Sequence, residues 1–242
     1  MKDSMHTKNA FPSFAFLLAG LLITARADAQ KAKEPSHAEA AVTSRIQTGA
    51  PLEFGVTGLT KDNLEKVQKS LTSLTSQVYV CDGCKHEEAT AGKCPPCNVD
   101  LTAKQEPVLL EAQASLDTAS IRLVPGATRT LRYSDLEGAL MKNSVHIDSA
   151  KFALPGECRL ILRGGTPENA MTVEKALADS KLFAVVHADY DAPSGEIRVV
   201  VHANAMPAMH DKVTAVVDAL GTEARLTDVI WGPMPAPTPT KA

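Results

Sequence analysis

From Leu52 onward the apolar positions follow two alternating rhythms, one of every second residue and one of every third or fourth, and the switches between them predict the elements. "LEFGVTG" alternates as a strand. Leu64, Val67, Leu71 and Leu74 then recur at helical spacing after Thr60 and Asp62, either of which can accept hydrogen bonds from the free amides at a helix start. "VLLEAQASL" and "ASIRLV" read as a hairpin turning at Asp117-Thr118, "YSDLEGALMKN" as a helix, and "VHIDSAKFAL" as a closing strand. Ser134 and Glu137 have capping-box spacing at that helix. The rhythm runs again through strand "CRLILR", helix "PENAMTVEKALADS" with Pro167 in its first turn, and hairpin strands "FAVVHADY" and "EIRVVVHA". A last helix carries Met209, Val213, Val216, Val217 and Leu220 on one side up to Gly221, before the final strand "ARLTDVIW".

Residue identities repeat with the pattern. Gly58, Thr60, Asp62, Asn63, Val67, Lys69 and Leu71 align with Gly164, Thr166, Glu168, Asn169, Val173, Lys175 and Leu177 at a constant offset of 106. Ala114 and Asp117 align with Ala188 and Asp191 at an offset of only 74, so the first copy carries the difference, 32 residues, as an insertion between Leu71 and Ala114. Each copy reads βαββαβ, the ferredoxin-like arrangement of two helices on one face of an antiparallel sheet. The expected architecture is therefore α+β: two tandem ferredoxin-like domains over residues 51–155 and 156–232, the first interrupted by a small zinc-ribbon-like module at about 77–105.

The ends differ in character. Lys2 and Lys8 precede the apolar run "FPSFAFLLAGLLITA", and Ala27-x-Ala29 supplies the small residues of a cleavage site, so residues 1–29 read as a signal peptide. The run is shorter than the ~20 residues that span a bilayer, and no stable membrane insertion is expected after cleavage. The mature chain is expected to be periplasmic or secreted. Residues 30–50 are polar and without periodicity, a flexible leader, and residues 233–242, "PMPAPTPTKA", read as a proline-rich tail that does not pack.

Composition narrows the function classes. With 44% hydrophobic and 22% charged residues the 242-residue chain can bury a core. A net charge of −3 and the absence of a long basic run exclude the electrostatic footprint of a nucleic-acid binder. No serine elbow, phosphate-binding glycine loop or paired acidic motif supplies catalytic machinery, and the chain reads as a non-enzyme.

Four of the five cysteines stand in "YVCDGCKHEEATAGKCPPCNVDL", inside the insertion. C-x2-C-x9-C-x2-C lets Cys81, Cys84, Cys94 and Cys97 meet one ion as two thiolate pairs, and four thiolates close the coordination shell of a structural zinc. An insertion this small has too few large apolar side chains to fold alone. Metal binding supplies roughly 10 to 16 kcal/mol in zinc-finger peptides, against about 2 kcal/mol for a disulfide within one CxxC loop. An oxidising compartment argues the other way, so disulfides and free redox thiols stand as alternatives. Redox exchange through "CPPC" would need a helix N-terminus at its first sulfur, and "NVDLTAKQEP" is a poor helix.

Two family resemblances bear on these residues. The order of elements resembles the heavy-metal-associated domain of metallochaperones and metal-transporting ATPases, whose first loop reads Gly-Met-Thr-Cys-x-x-Cys. Here that loop is Gly58-Leu59-Thr60-Lys61-Asp62-Asn63-Leu64, with Lys61 and Leu64 where the two metal cysteines would stand, and Pro167 and Ala170 in the second copy. That family's soft-metal site is thus not implied at either loop. The insertion resembles the small heavy-metal-binding domain of metal efflux ATPases and adaptors: Tyr79, Cys81, Gly92, Lys93, Cys94, Pro95, Cys97, Asp100 and Leu101 match it. Cys84 replaces a histidine there, and Asn98-Val99 replace Gly-Met, which removes a soft thioether ligand.

Other candidates have bland readings. His86 reads as an exposed loop residue, although it lies where it could replace a cysteine ligand. His146, His187 and His202 lie on predicted strands with no carboxylate cluster defining a site. Cys158 reads as a buried small hydrophobe, or as an exposed thiol joining two chains. Met206 and Met209 with His202 and His210 allow a copper site, but methionines at helix spacing are more often core. The functional expectation is an exported protein that binds Zn2+ or another thiophilic ion through the four cysteines, in metal homeostasis or delivery. The alternative is a protein-interaction module whose zinc is purely structural.

Overall fold

The computed structural model describes residues 49–154, 156–203 and 208–234. The expected signal peptide, nearly all of the leader, Met206, and the tail beyond Met234 lie outside the described residues. What is described is a mixed α+β fold of mostly antiparallel sheets with four helices. All of it falls within one compact unit.

The first half opens with β1 (Leu52–Thr57), α1 (Lys61–Thr72) and the hairpin β5 (Leu109–Ser115) and β6 (Ser120–Pro125). It closes with α2 (Tyr133–Met141) and β8 (His146–Phe152), and its sheet has the order β5-β6-β1-β8. The second half repeats the connections through β9 (Gly156–Arg163), α3 (Pro167–Asp179), β10 (Phe183–Asp191), β11 (Glu196–Ala203), α4 (Met209–Asp218) and β12 (Arg225–Trp231). Its sheet runs β10-β11-β9-β12, and a two-residue strand from the first half, β7 (Leu131–Arg132), adds to the β12 edge. The insertion forms a third sheet, β3-β2-β4, from β2 (Thr75–Val80), β3 (Glu87–Glu88) and β4 (Thr102–Pro107).

The repeated residues do the same local work in both halves. Thr60 and Thr166 each precede their helix in extended conformation, and each N–H is accepted by the side-chain oxygen of the asparagine three residues on, Asn63 at 2.8 Å and Asn169 at 2.9 Å. Gly58 and Gly164 both adopt φ +80°, where a Cβ would stand 2.4 Å from the Ser144 carbonyl and 2.5 Å from the Glu223 carbonyl. Only glycine combines that backbone with that approach.

Alternation on β11 buries Ile197, Val199 and Val201 in one core with Val173 and Leu177 of α3 and Val213 and Val217 of α4. A single core runs through both halves. At their junction Phe152 makes edge contacts with Phe54, Tyr133 and Trp231 at centroid distances of 5.4, 5.2 and 6.0 Å. His210 stacks on Tyr133 at 4.6 Å, and burial lowers its pKa while pushing the Tyr133 phenol up to about 12.

Several local expectations change. The capping-box spacing of Ser134 and Glu137 is not used, because α2 begins at Tyr133. The Ser134 N–H and Oγ both donate instead to buried Asp228 on β12, at 3.1 and 3.0 Å, so the second half caps a helix of the first. The module extends beyond 77–105, since β2 and β4 pair along their whole length from Thr75↔Pro107 to Val80↔Thr102. The end of the leader and the start of the tail pack. Gly49 donates its N–H to the Pro125 carbonyl at 2.8 Å, and Pro233 accepts from Thr130 Oγ1 at 2.6 Å. Polarity of sequence misses both, because main-chain groups make the contacts.

Candidate metal centre

Each CxxC pair sits at the tip of a hairpin, and the two tips are built alike. In the first, the Cys81 N–H donates to the His86 carbonyl at 2.9 Å and the Lys85 N–H to the Cys81 carbonyl at 2.8 Å. In the second, the Cys94 N–H donates to Val99 at 2.8 Å and the Asn98 N–H to Cys94 at 2.7 Å. Lys85 and Asn98, the residues after each second cysteine, take left-handed φ values of 60° and 53°. Asparagine tolerates that region, which suits Asn98 to its place in the turn.

Further contacts close these turns. Leu101 N–H donates to Gly92 at 2.9 Å, and Lys93 pairs with Asp100 as an isolated bridge. The Lys104 ammonium hydrogen-bonds Asp82 Oδ1 at 2.5 Å, which fastens the first turn to β4 and holds the Asp82 carboxyl below its ordinary pKa. "NVDLTAKQEP" is indeed not a helix; its second half is β4.

The four Sγ atoms lie within 4.8 Å of one another, and Cys84 and Cys94 approach to 3.4 Å. Four thiolates at about 2.3 Å from a tetrahedral zinc stand roughly 3.8 Å apart, so the set fits such an ion. All four are free thiols in the structure. Cys81 and Cys94 are fully buried, Cys84 is half-buried, and Cys97 is exposed, which leaves one side of the cluster open to solvent.

The thiols differ in acidity for a local reason. Cys81 is lowered to about 6, chiefly because the Cys84 backbone N–H points at its sulfur, with Gly83 adding another donor against the cost of burial. Cys94 is raised by burial first and then by its hydrogen bonds with the Cys84 and Cys81 thiols, against which the Cys97 N–H acts. The position equivalent to Gly83 is Pro96, which has no N–H to give. Cys97 is pushed up to about 12, first by its hydrogen bond with Cys84 and then by burial, since four neighbouring sulfurs cannot all carry charge without a cation.

The remaining candidates do not join this cluster. His86 is half-buried and hydrogen-bonds Glu88 at 2.7 Å. Cys158 is wholly buried in the core, and burial pushes its thiol up to about 12. Met209 is also core, and His210 is engaged with Tyr133. His187 departs from the sequence reading: it lies between Glu174 at 3.4 Å and Asp189 at 3.3 Å on an exposed strand face. Glu174 comes from α3, so only folding makes that triplet. Lys61 and Pro167 are exposed and Ala170 is buried, each at the start of a helix rather than in a ligand loop.

No family model matches the chain, and neither a curated protein nor a solved structure matches it closely enough to establish a relationship.

Proposed function

We propose that this protein binds one thiophilic ion, Zn2+ foremost, through Cys81, Cys84, Cys94 and Cys97, as an exported, non-catalytic metal-binding protein of metal homeostasis or delivery. The convergence of four sulfurs within 4.8 Å carries the reading. Support for two ferredoxin-like domains related to heavy-metal-associated domains comes from the strand order, in which the hairpin, first strand and last strand stand in the same sequence in each half. The signal-like N-terminus supports export to the periplasm or outside the cell. Among the described residues no helix is long and apolar enough to cross a membrane.

The alternative, a structural zinc that stiffens a partner-binding knuckle, is favoured by the full burial of Cys81 and Cys94. Exposed Cys97 favours exchange. Elemental analysis of the reduced mature protein should find one ion per chain, and the Cys94→Ser/Cys97→Ser variant should lose it. Absence of a stoichiometric ion, with all four thiols oxidised, defeats the proposal. Rapid loss of the ion to a chelator while the fold persists identifies cargo; loss only as the module unfolds identifies a structural metal.

A further inference from the structure

β3 has only two residues, Glu87 and Glu88, and its ladder with β2 cannot by itself fix the first cysteine turn. Beside the Asp82–Lys104 contact, which ties the turn to β4, Glu87 ties it to the body. Its Oε1 accepts from Arg129 Nη2 at 2.9 Å and its Oε2 from Thr128 Oγ1 at 3.2 Å, both from the loop between β6 and β7. Arg129 Nη1 donates to the Pro107 carbonyl at the foot of β4, at 2.5 Å. The pair is withdrawn from water, with Arg129 4% and Glu87 12% exposed. Removing one partner would strand a buried charge, so the geometry is strongly held.

The contact reaches the site in two steps. Glu87 faces Val80 in the β2–β3 register, and the preceding residue, His86, supplies the carbonyl that takes the Cys81 N–H at 2.9 Å. On its other side Arg129 is fixed by the second half. A Cβ on Gly232 would lie 2.3 Å from the Arg129 carbonyl, and Leu131 and Arg132 pair with Trp231 and Ile230.

We propose that Arg129 is a positioning residue for the four-cysteine site: through Glu87 it holds the first cysteine turn in ligating geometry, so that metal occupancy and docking of the module on the body are one coupled equilibrium. The inference rests on the metal-binding reading. None of Arg129's hydrogen-bond partners is a cysteine, so it acts only through Glu87 and β4. An ion that fixes Cys81 and Cys84 steadies β3 and with it the Glu87–Arg129 contact. By linkage the contact raises ion affinity by the same factor.

The test measures Zn2+ affinity by competition with a chromophoric chelator, and melting with and without Zn2+, in the full chain carrying Arg129→Met, Glu87→Gln, or Glu87→Leu with Arg129→Met. All variants should bind one ion, with the thiolate absorption of the Co2+ form retained. Affinity should fall by about tenfold or more for Arg129→Met and the double variant, and less for Glu87→Gln, which keeps an acceptor oxygen. The rise in melting temperature on adding Zn2+ should shrink in step. If Arg129→Met does not fold, the double variant replaces it, because it leaves no unpaired charge. A purely structural contact would lower both melting temperatures equally and leave affinity within twofold of the parent protein, and that result overturns the inference. A parent protein that binds no Zn2+ overturns the metal-binding reading as well, a distinct outcome.

Discussion

Cys81 and Cys94 hold equivalent places in two turns of the same design, yet their thiols are shifted in opposite directions. Cys81 is lowered chiefly by the Cys84 N–H and then by contacts with its neighbouring thiols, whereas Cys94 is raised first by burial and then by its contacts with Cys84 and Cys81. Cys81 is therefore ready as a thiolate near neutral pH, while Cys94 and Cys97 hold their protons until a cation displaces them. The sign follows: thiols with raised pKa must lose protons on binding, so affinity rises with pH. Calorimetry at pH 7.5 in buffers of different ionisation enthalpy should show release of at least the two protons of Cys94 and Cys97. The cluster of four was legible in spacing alone. The inequality between its members was not, because it depends on burial and on which sulfurs and amides the fold brings against each thiol.

At the scale of elements, hydrophobic rhythm located the body strands and the four helices of the described residues. What escaped were segments whose partners are distant in sequence. β7 and β3 have two residues each, too short for any period, and exist only because β12 and β2 pair with them. Ser134 reads as a local cap yet bonds Asp228, ninety-four residues away. Edge strand β10 shows a related case. Its Ala188 N–H, directed away from β11, is taken by Glu174 of α3 at 2.7 Å, with His187 and Asp189 alongside. A carboxylate over an open edge discourages pairing with a second chain. Glu174→Ala should therefore increase concentration-dependent self-association, seen by sedimentation velocity, without changing Zn2+ stoichiometry.

For the molecule as a whole, the two halves of the described fold are joined at one aromatic cluster. Phe54, Tyr133 and Phe152 come from the first half and Trp231 from the second. Helix α4 packs on β8 and α2 on β12, so each half covers part of the other. Phe152→Ala should cost about 3–5 kcal/mol. Trp231, the only tryptophan, reports on the junction. Its fluorescence and far-UV circular dichroism should trace one coincident unfolding transition of the body; separate transitions would show that the halves fold independently.

The chain by itself determined its element types and the clustering of the four cysteines, because these rest on local period, short motif spacing and residue chemistry. Only the tertiary structure decided that the halves share a core, that Asp228 caps a helix of the other half, and that Arg129 holds Glu87 beneath the cysteine turns. Each of these joins residues tens of positions apart, where no periodicity extends and where burial, which only folding creates, gives a polar contact its strength.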